Sequence, residues 1–185
     1  DSEGELQVLG FDGKGVPVIK KEAAKIKARQ GKGEKRQKKK EAMVGVSYTV
    51  DKKERGASEV AKNLVYPEKK KSTDKEKPEV KAKNIRRLAS LERSRREIVE
   101  ELSDDAKRRD SEHKKPLVVV MDGALHLWKL VATVLAGIEY TGILDIIHVI
   151  EYLWDAVHAI YGEKDPGCKK WVYDHLLSIL RGDVG

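Results

Sequence analysis

An α/β fold with a mixed sheet is what the sequence predicts: three antiparallel strands, then βα units, with helices on both faces. Three observations predict it. Short runs rich in β-branched residues occupy the N-terminal part of the chain. Leu117–Met121 is a continuous apolar run, as expected of a strand buried on both faces. Amphipathic helical periods lie on either side of that run.

Taken in order, Leu6–Asp12 alternates loosely, contains Val8, Leu9 and Phe11, and reads as the first strand. Gly13-Lys14-Gly15 supplies a turn, and Val16–Ile19 reads as a return strand with Pro17 at its start or on an edge. Met43–Val50 is the third strand by its β-branched content. Asn84–Asp110 reads as one long helix, because Leu88, Leu91, Ile98, Leu102 and Ala106 recur at steps of helical period. Strand Leu117–Met121 follows, then helix Leu125–Leu135, a short strand Gly142–Ile147, and helices His148–Tyr161 and Cys168–Arg181. Right-handed βα connections place these helices on the sheet. This order of elements is that of the RNase H-like fold.

The chain has 185 residues, enough for one domain with a real core over 1–185 and too few for two large ones. Charged residues make up 37% and the formal net charge is +7. The charge is uneven: residues 1–115 hold 33 Lys/Arg against 22 Asp/Glu, and residues 116–185 hold 5 against 9. A basic half beside an apolar half suggests a polyanion-binding surface on a folded core, and a solvated basic surface is the plainer reading. Two basic segments, 20–41 and 67–83, read as flexible inserts. Cys168 is the sole cysteine, which excludes an intramolecular disulfide and a Cys-rich zinc site and fits a cytoplasmic setting. The N-terminus has no signal pattern. The most apolar stretch, Pro116–Trp154, is broken by Asp122, Lys129, Glu139 and Asp145, so no membrane span is expected. The chain starts without methionine and reads as a piece of a longer protein.

Two aspartates stand out. Asp12 ends the first strand and Asp122 the fourth, so parallel neighbouring strands would bring both carboxylates to one crevice. Such a pair can hold Mg²⁺, with phosphate oxygens filling the open positions. Both aspartates also precede glycine, and Asp-Gly is an ordinary turn dipeptide. Asp145 and His148 form a second constellation, three apart at a strand-to-helix junction. They could share a metal-ligand face, or Asp145 could simply cap a helix whose polar stripe carries His148, Glu151, Asp155 and His158. Leu153, Trp154, Val157 and Ile160 then form its core side. Gly13-Lys14-Gly15 lacks the longer phosphate-loop pattern, Cys168 is an unsupported thiol, and Trp128, Trp154 and Trp171 lie in apolar helical patterns that suit a core. The lysine-rich runs have few aromatics nearby, which suits phosphate contacts better than base stacking.

Four blocks then resemble bacterial insertion-sequence transposases of the Kra type, relatives of the Mutator-like DDE enzymes. They are Phe11–Val16, Lys25–Val46 with Lys32-Gly33-Glu34-Lys35-Arg36, Val119–Trp128 around Met121-Asp122-Gly123-Ala124, and Ile143–Trp154 with Asp145-Ile146-Ile147-His148. The resemblance spans nearly the whole chain. It implies an RNase H-like core whose acidic triad binds Mg²⁺ or Mn²⁺ and carries out DNA strand cleavage and transfer in transposition. Asp12 matches the first acid, Asp122 the second, and Asp145 with His148 an Asp-x-x-His element. Transposon ends and target DNA are the implied partners, with a homo-oligomer possible, and Lys32, Lys35, Arg36, Lys38, Lys39 and Lys40 are the expected DNA contacts. In the family the third acid is a Glu beyond a further helical region. The chain ends at Gly185 before any match, and neither Glu151 nor Glu163 takes that place. A fragment with little or no activity of its own is therefore expected, without terminus recognition. The alternatives are a catalytically dead or repurposed RNase H-like nucleic-acid-binding module, and a basic structural protein such as an RNA-associated factor.

Overall fold

The computed structural model describes residues 2–19, 21, 39–67 and 80–183. Most of the basic segments 20–41 and 67–83 lies outside the described residues. The chain forms two compact units, Asp1–Asp51 with Ala82–Ile143, and Lys52–Lys81 with Leu144–Gly185.

The first unit is built on a mixed sheet. Its strands are β1 (Leu6–Pro17), β2 (Lys39–Val50), β3 (Lys83–Ser90), β4 (Leu117–Met121) and β5 (Thr141–Leu144), in the order β3-β2-β1-β4-β5. β1 pairs antiparallel with β2 from Leu6 opposite Val50 to Pro17 opposite Lys39. β2 pairs antiparallel with β3, and β1 pairs parallel with β4 from Gln7 beside Leu117 to Phe11 beside Met121. The α/β class and the mixed sheet are therefore as the sequence predicts.

Helices α2 (Arg95–Arg109) and α3 (Leu125–Val134) share one core with alternate strand residues Leu9, Phe11, Met43, Val119 and Met121. Leu9, Ile98, Leu102, Val119 and Val131 are fully buried there. Each such side chain contributes about 1.5–3 kcal/mol of transfer free energy. Within this unit both helices thus pack on the same face of the sheet.

Three strand assignments change. β1 runs straight through Gly13-Lys14-Gly15, so there is no turn at these residues and no return strand over Val16–Ile19. The glycines serve cross-strand contact instead: a Cβ on Gly13 would sit 2.5 Å from Glu41 Oε1, and one on Gly15 would sit 3.2 Å from Lys39 Cδ. The antiparallel partner of β1 is β2, which begins at Lys39 rather than Met43. The third strand is β3, within the stretch expected to be helix. Arg86 and Leu88 of β3 face α2, with Arg86 bonded to Glu101 and to Asp105 at 3.3 Å and Leu88 packed on the core. That alternation has period two. Ser90 Oγ then accepts from the Glu92 and Arg93 amides, and Ser94 caps α2 with Glu97 in a reciprocal capping box.

The second unit contains α1 (Ala57–Val65), α4 (Ile146–Tyr161) and α5 (Cys168–Arg181). Its core comprises Ala61, Val65, Ile150, Val157, Cys168, Val172 and Leu176, with α5 packing against both other helices. The helical period of Ala61, Leu64 and Val65 was not singled out in the sequence. On α4, Val157 is buried and Leu153 and Trp154 pack on the core, but Ile160 is 60% exposed and lies off the predicted core side. Trp171 packs on the same core and stacks on His175 with centroids 3.7 Å apart. Among the described residues no helix is long and apolar enough to cross a membrane.

Candidate active site

β1 and β4 are parallel and in register up to Phe11 beside Met121. One residue further, Asp12 and Asp122 become neighbours. Adjacent strands lie roughly 4.8 Å apart, and carboxylate oxygens of Asp12 and Asp122 lie within 4.8 Å of each other. Both residues are half-buried. Their surroundings differ. Asp12 does not end its strand: it sits inside β1 with Val44 opposite, and β1 continues to Pro17. Asp122 leaves the sheet.

The turn at Asp122 is fixed locally. Its Oδ1 accepts the Ala124 amide at 3.0 Å, an Asx-type bond that directs the chain into α3. Its carbonyl accepts the Trp128 indole N–H at 2.7 Å, from the first turn of α3. Gly123 has open space where a Cβ would stand, so the turn does not depend on close approach there. With Oδ1 engaged by a single backbone donor, the Asp122 carboxylate keeps acceptor capacity for a further partner.

Asp145 and His148 belong to the second unit. Asp145 is the N-cap of α4 and accepts the Ile147 amide at 2.9 Å, the capping role its spacing allows. His148 Nδ1 lies 3.9 Å from Asp145 Oδ2, is buried, and has no hydrogen-bond partner. Of the basic residues expected to meet DNA, Lys39 and Lys40 are exposed at the start of β2, and Lys32, Lys35, Arg36 and Lys38 lie outside the described residues.

Sequence reasoning missed a second basic group in the first unit. Arg93, Arg95 and Arg96 at the start of α2 border a cleft of about 510 Å³ together with His126 and Glu41. The signal available was the Arg93-Ser94-Arg95-Arg96 run, which reads as ordinary helix surface when the whole stretch is taken as one helix. A smaller cavity of about 220 Å³ opens near the start of β1 and β4, bordered by Gln7, Ser103, Asp110, His113, Leu117 and Leu135. Compared with known proteins, the chain matches no family model, no curated protein and no solved structure.

Proposed function

We propose that this chain is part of a metal-dependent phosphoryl-transfer enzyme of the DDE transposase type, with Asp12 and Asp122 as two carboxylates of an RNase H-like catalytic core. The observation that carries the reading is the side-by-side placement of these carboxylates across the parallel pair β1 and β4. The strand order β3-β2-β1-β4-β5, antiparallel in its first three strands and parallel at β1 and β4, supports the RNase H-like assignment. The transposase assignment itself rests on the four motif blocks.

Two half-buried carboxylates at this separation suit a hard cation such as Mg²⁺ or Mn²⁺, which prefers oxygen ligands and keeps open positions for substrate phosphate. When bound, the metal would supply Lewis-acid stabilisation of the phosphoryl oxygens. Asp12 would offer its carboxylate from a rigid strand flanked on both sides. Asp122 would offer the oxygen left free by the Ala124 amide, held in place by Trp128. Intact transposition would also need transposon ends and target DNA, as the resemblance implies.

A second reading, a repurposed RNase H-like nucleic-acid-binding module, is favoured by one observation: among the described residues no third carboxylate joins the pair. Mn²⁺ titration followed by water-proton relaxation tests the centre common to both. Binding by the wild type and a loss of at least about ten-fold in Asp12→Ala and Asp122→Ala is expected, the scale typical when a ligand or its support is removed. Unchanged binding in both variants would overturn the assignment. Metal-dependent cleavage of terminal-repeat DNA by the chain alone would overturn the expectation that it is inactive by itself and would exclude the binding-module reading.

A further inference from the structure

We infer that the cleft beside the first turn of α2 is a seat for the sugar–phosphate backbone of nucleic acid, and that Glu41 fills it in the free protein by holding Arg95. The choice of nucleic acid as the polyanion rests on the function proposed above; the geometry does not.

Arg93, Arg95 and Arg96 line this cleft with His126 and Glu41, the one acidic residue of its lining. The capping box takes up two of the backbone amides at the start of α2, those of Ser94 and Glu97. The positive charge of the cleft is carried by the arginine side chains. Arg93 bonds Glu101 at 2.6 Å and Arg96 bonds Glu100 at 2.8 Å, both carboxylates belonging to α2. Arg95 is different. Its partner Glu41 comes from β2, and Arg95 grips it with Nε at 3.1 Å and with its Nη2.

This two-pronged grip is the geometry with which arginine takes a phosphate. Glu41 is an internal occupant of the position a phosphate would take. Its carboxylate lies over Gly13, where a Cβ would come within 2.5 Å of Oε1. Gly13 follows Asp12 in β1, and α3, which carries His126, follows Asp122. The Arg95 and Glu41 side chains are 43% and 44% exposed. An ion pair so exposed stabilises the fold little, and exchanging its carboxylate for a phosphate costs little.

The test is binding of a fluorescein-labelled single strand of about twenty nucleotides, longer than one domain's footprint, read by anisotropy across a salt series in EDTA. EDTA separates this inference from the metal centre, which is measured independently by Mn²⁺ titration. Glu41→Gln frees Arg95 and is expected to tighten binding by up to about five-fold at 0.1 M salt, the worth of one added phosphate contact on a single strand. Arg95→Gln is expected to weaken it by a similar factor and to lower the salt slope by about 0.7. Glu112→Gln, which breaks the exposed Lys114 pair elsewhere on the first unit, is expected to change binding less than Glu41→Gln does. Inorganic phosphate as competitor distinguishes a backbone seat from a simple phosphate site: the oligonucleotide resists displacement at millimolar phosphate only if neighbouring contacts act together. Glu41→Asp, which shortens the reach to Arg95, repeats the test should Glu41→Gln unfold. The inference is overturned if Glu41→Gln weakens binding or leaves it unchanged, if Arg95→Gln has no effect, or if Glu112→Gln tightens binding as much as Glu41→Gln.

Discussion

Trp128 donates its indole N–H to the carbonyl of Asp122 at 2.7 Å while its ring lies against Gly142 of β5, where a Cβ would come within 2.8 Å of Cζ3. One side chain thus ties the turn that follows β4 to the neighbouring strand. The aspartate carboxylate is aimed by its own Ala124 bond, and the turn bearing it is anchored by Trp128.

Trp128→Phe keeps an aromatic ring over Gly142 and removes the N–H donor. A stability loss of about 1 kcal/mol is expected from the lost hydrogen bond. If the bond positions Asp122, Mn²⁺ affinity also drops several-fold with both aspartates intact, as when an outer partner of a ligand is removed. Urea denaturation read beside Mn²⁺ relaxation separates the two effects. A destabilised variant with wild-type metal affinity would make Trp128 a packing residue only.

Gly45 is buried on β2 beneath α2, and a Cβ there would meet Leu102 Cδ1 at 2.5 Å, Phe11 Cδ1 at 3.1 Å and Ile98 Cγ2 at 3.3 Å. Leu102 and Ile98 are fully buried, so neither has free space to move into. Gly45→Ala is therefore expected to destabilise by about 1–3 kcal/mol through overpacking. The urea midpoint should fall with little change in slope. A midpoint at or above the wild-type value would mean that α2 shifts without cost.

How far the sequence discloses this molecule depends on which signal each element carries. The apolar run Leu117–Met121 has no competing reading at its length, and it is β4 as expected. Asp12 and Asp122 were legible because each is a charge set against apolar strand residues. Their distance was not, since it depends on the parallel register of Phe11 and Met121. β3 was misread because Leu88 and Leu91 continue the spacing of Ile98 and Leu102, although Leu91 is 39% exposed and belongs to the turn. The correcting signal was present: Ser94 with Glu97 three residues on is a capping box, and it marks a helix start in the middle of the supposed helix. Gly13 and Gly15 were misread as a turn because glycine that makes room for a cross-strand side chain looks the same in sequence as glycine that permits a turn. The Arg95 and Glu41 pair joins residues 54 apart, and nothing local announces it.

Glu3 gives the first unit a dependence on acid. Burial alone would raise its carboxyl, but hydrogen bonds from Thr49 and Asn84 and the charges of Lys115 and Arg109 outweigh it and hold the group below its ordinary value. The Thr49 bond is 2.6 Å long, and Thr49 Oγ1 also accepts the Gly4 amide at 2.8 Å. A carboxyl whose folded value lies below its unfolded value binds fewer protons in the folded state between the two. Its contribution is therefore fully present above the unfolded value and is lost as pH falls through the folded one. Urea midpoints measured from about pH 6 down to about pH 3, bracketing the ordinary glutamate range, should fall for the wild type. Glu3→Gln should be less stable at the upper end and converge with the wild type at the lower end. Thr49→Val, which removes the hydroxyl at similar volume, should flatten the profile in part. Parallel profiles for wild type and Glu3→Gln across the whole range would place the acid sensitivity elsewhere in the protein.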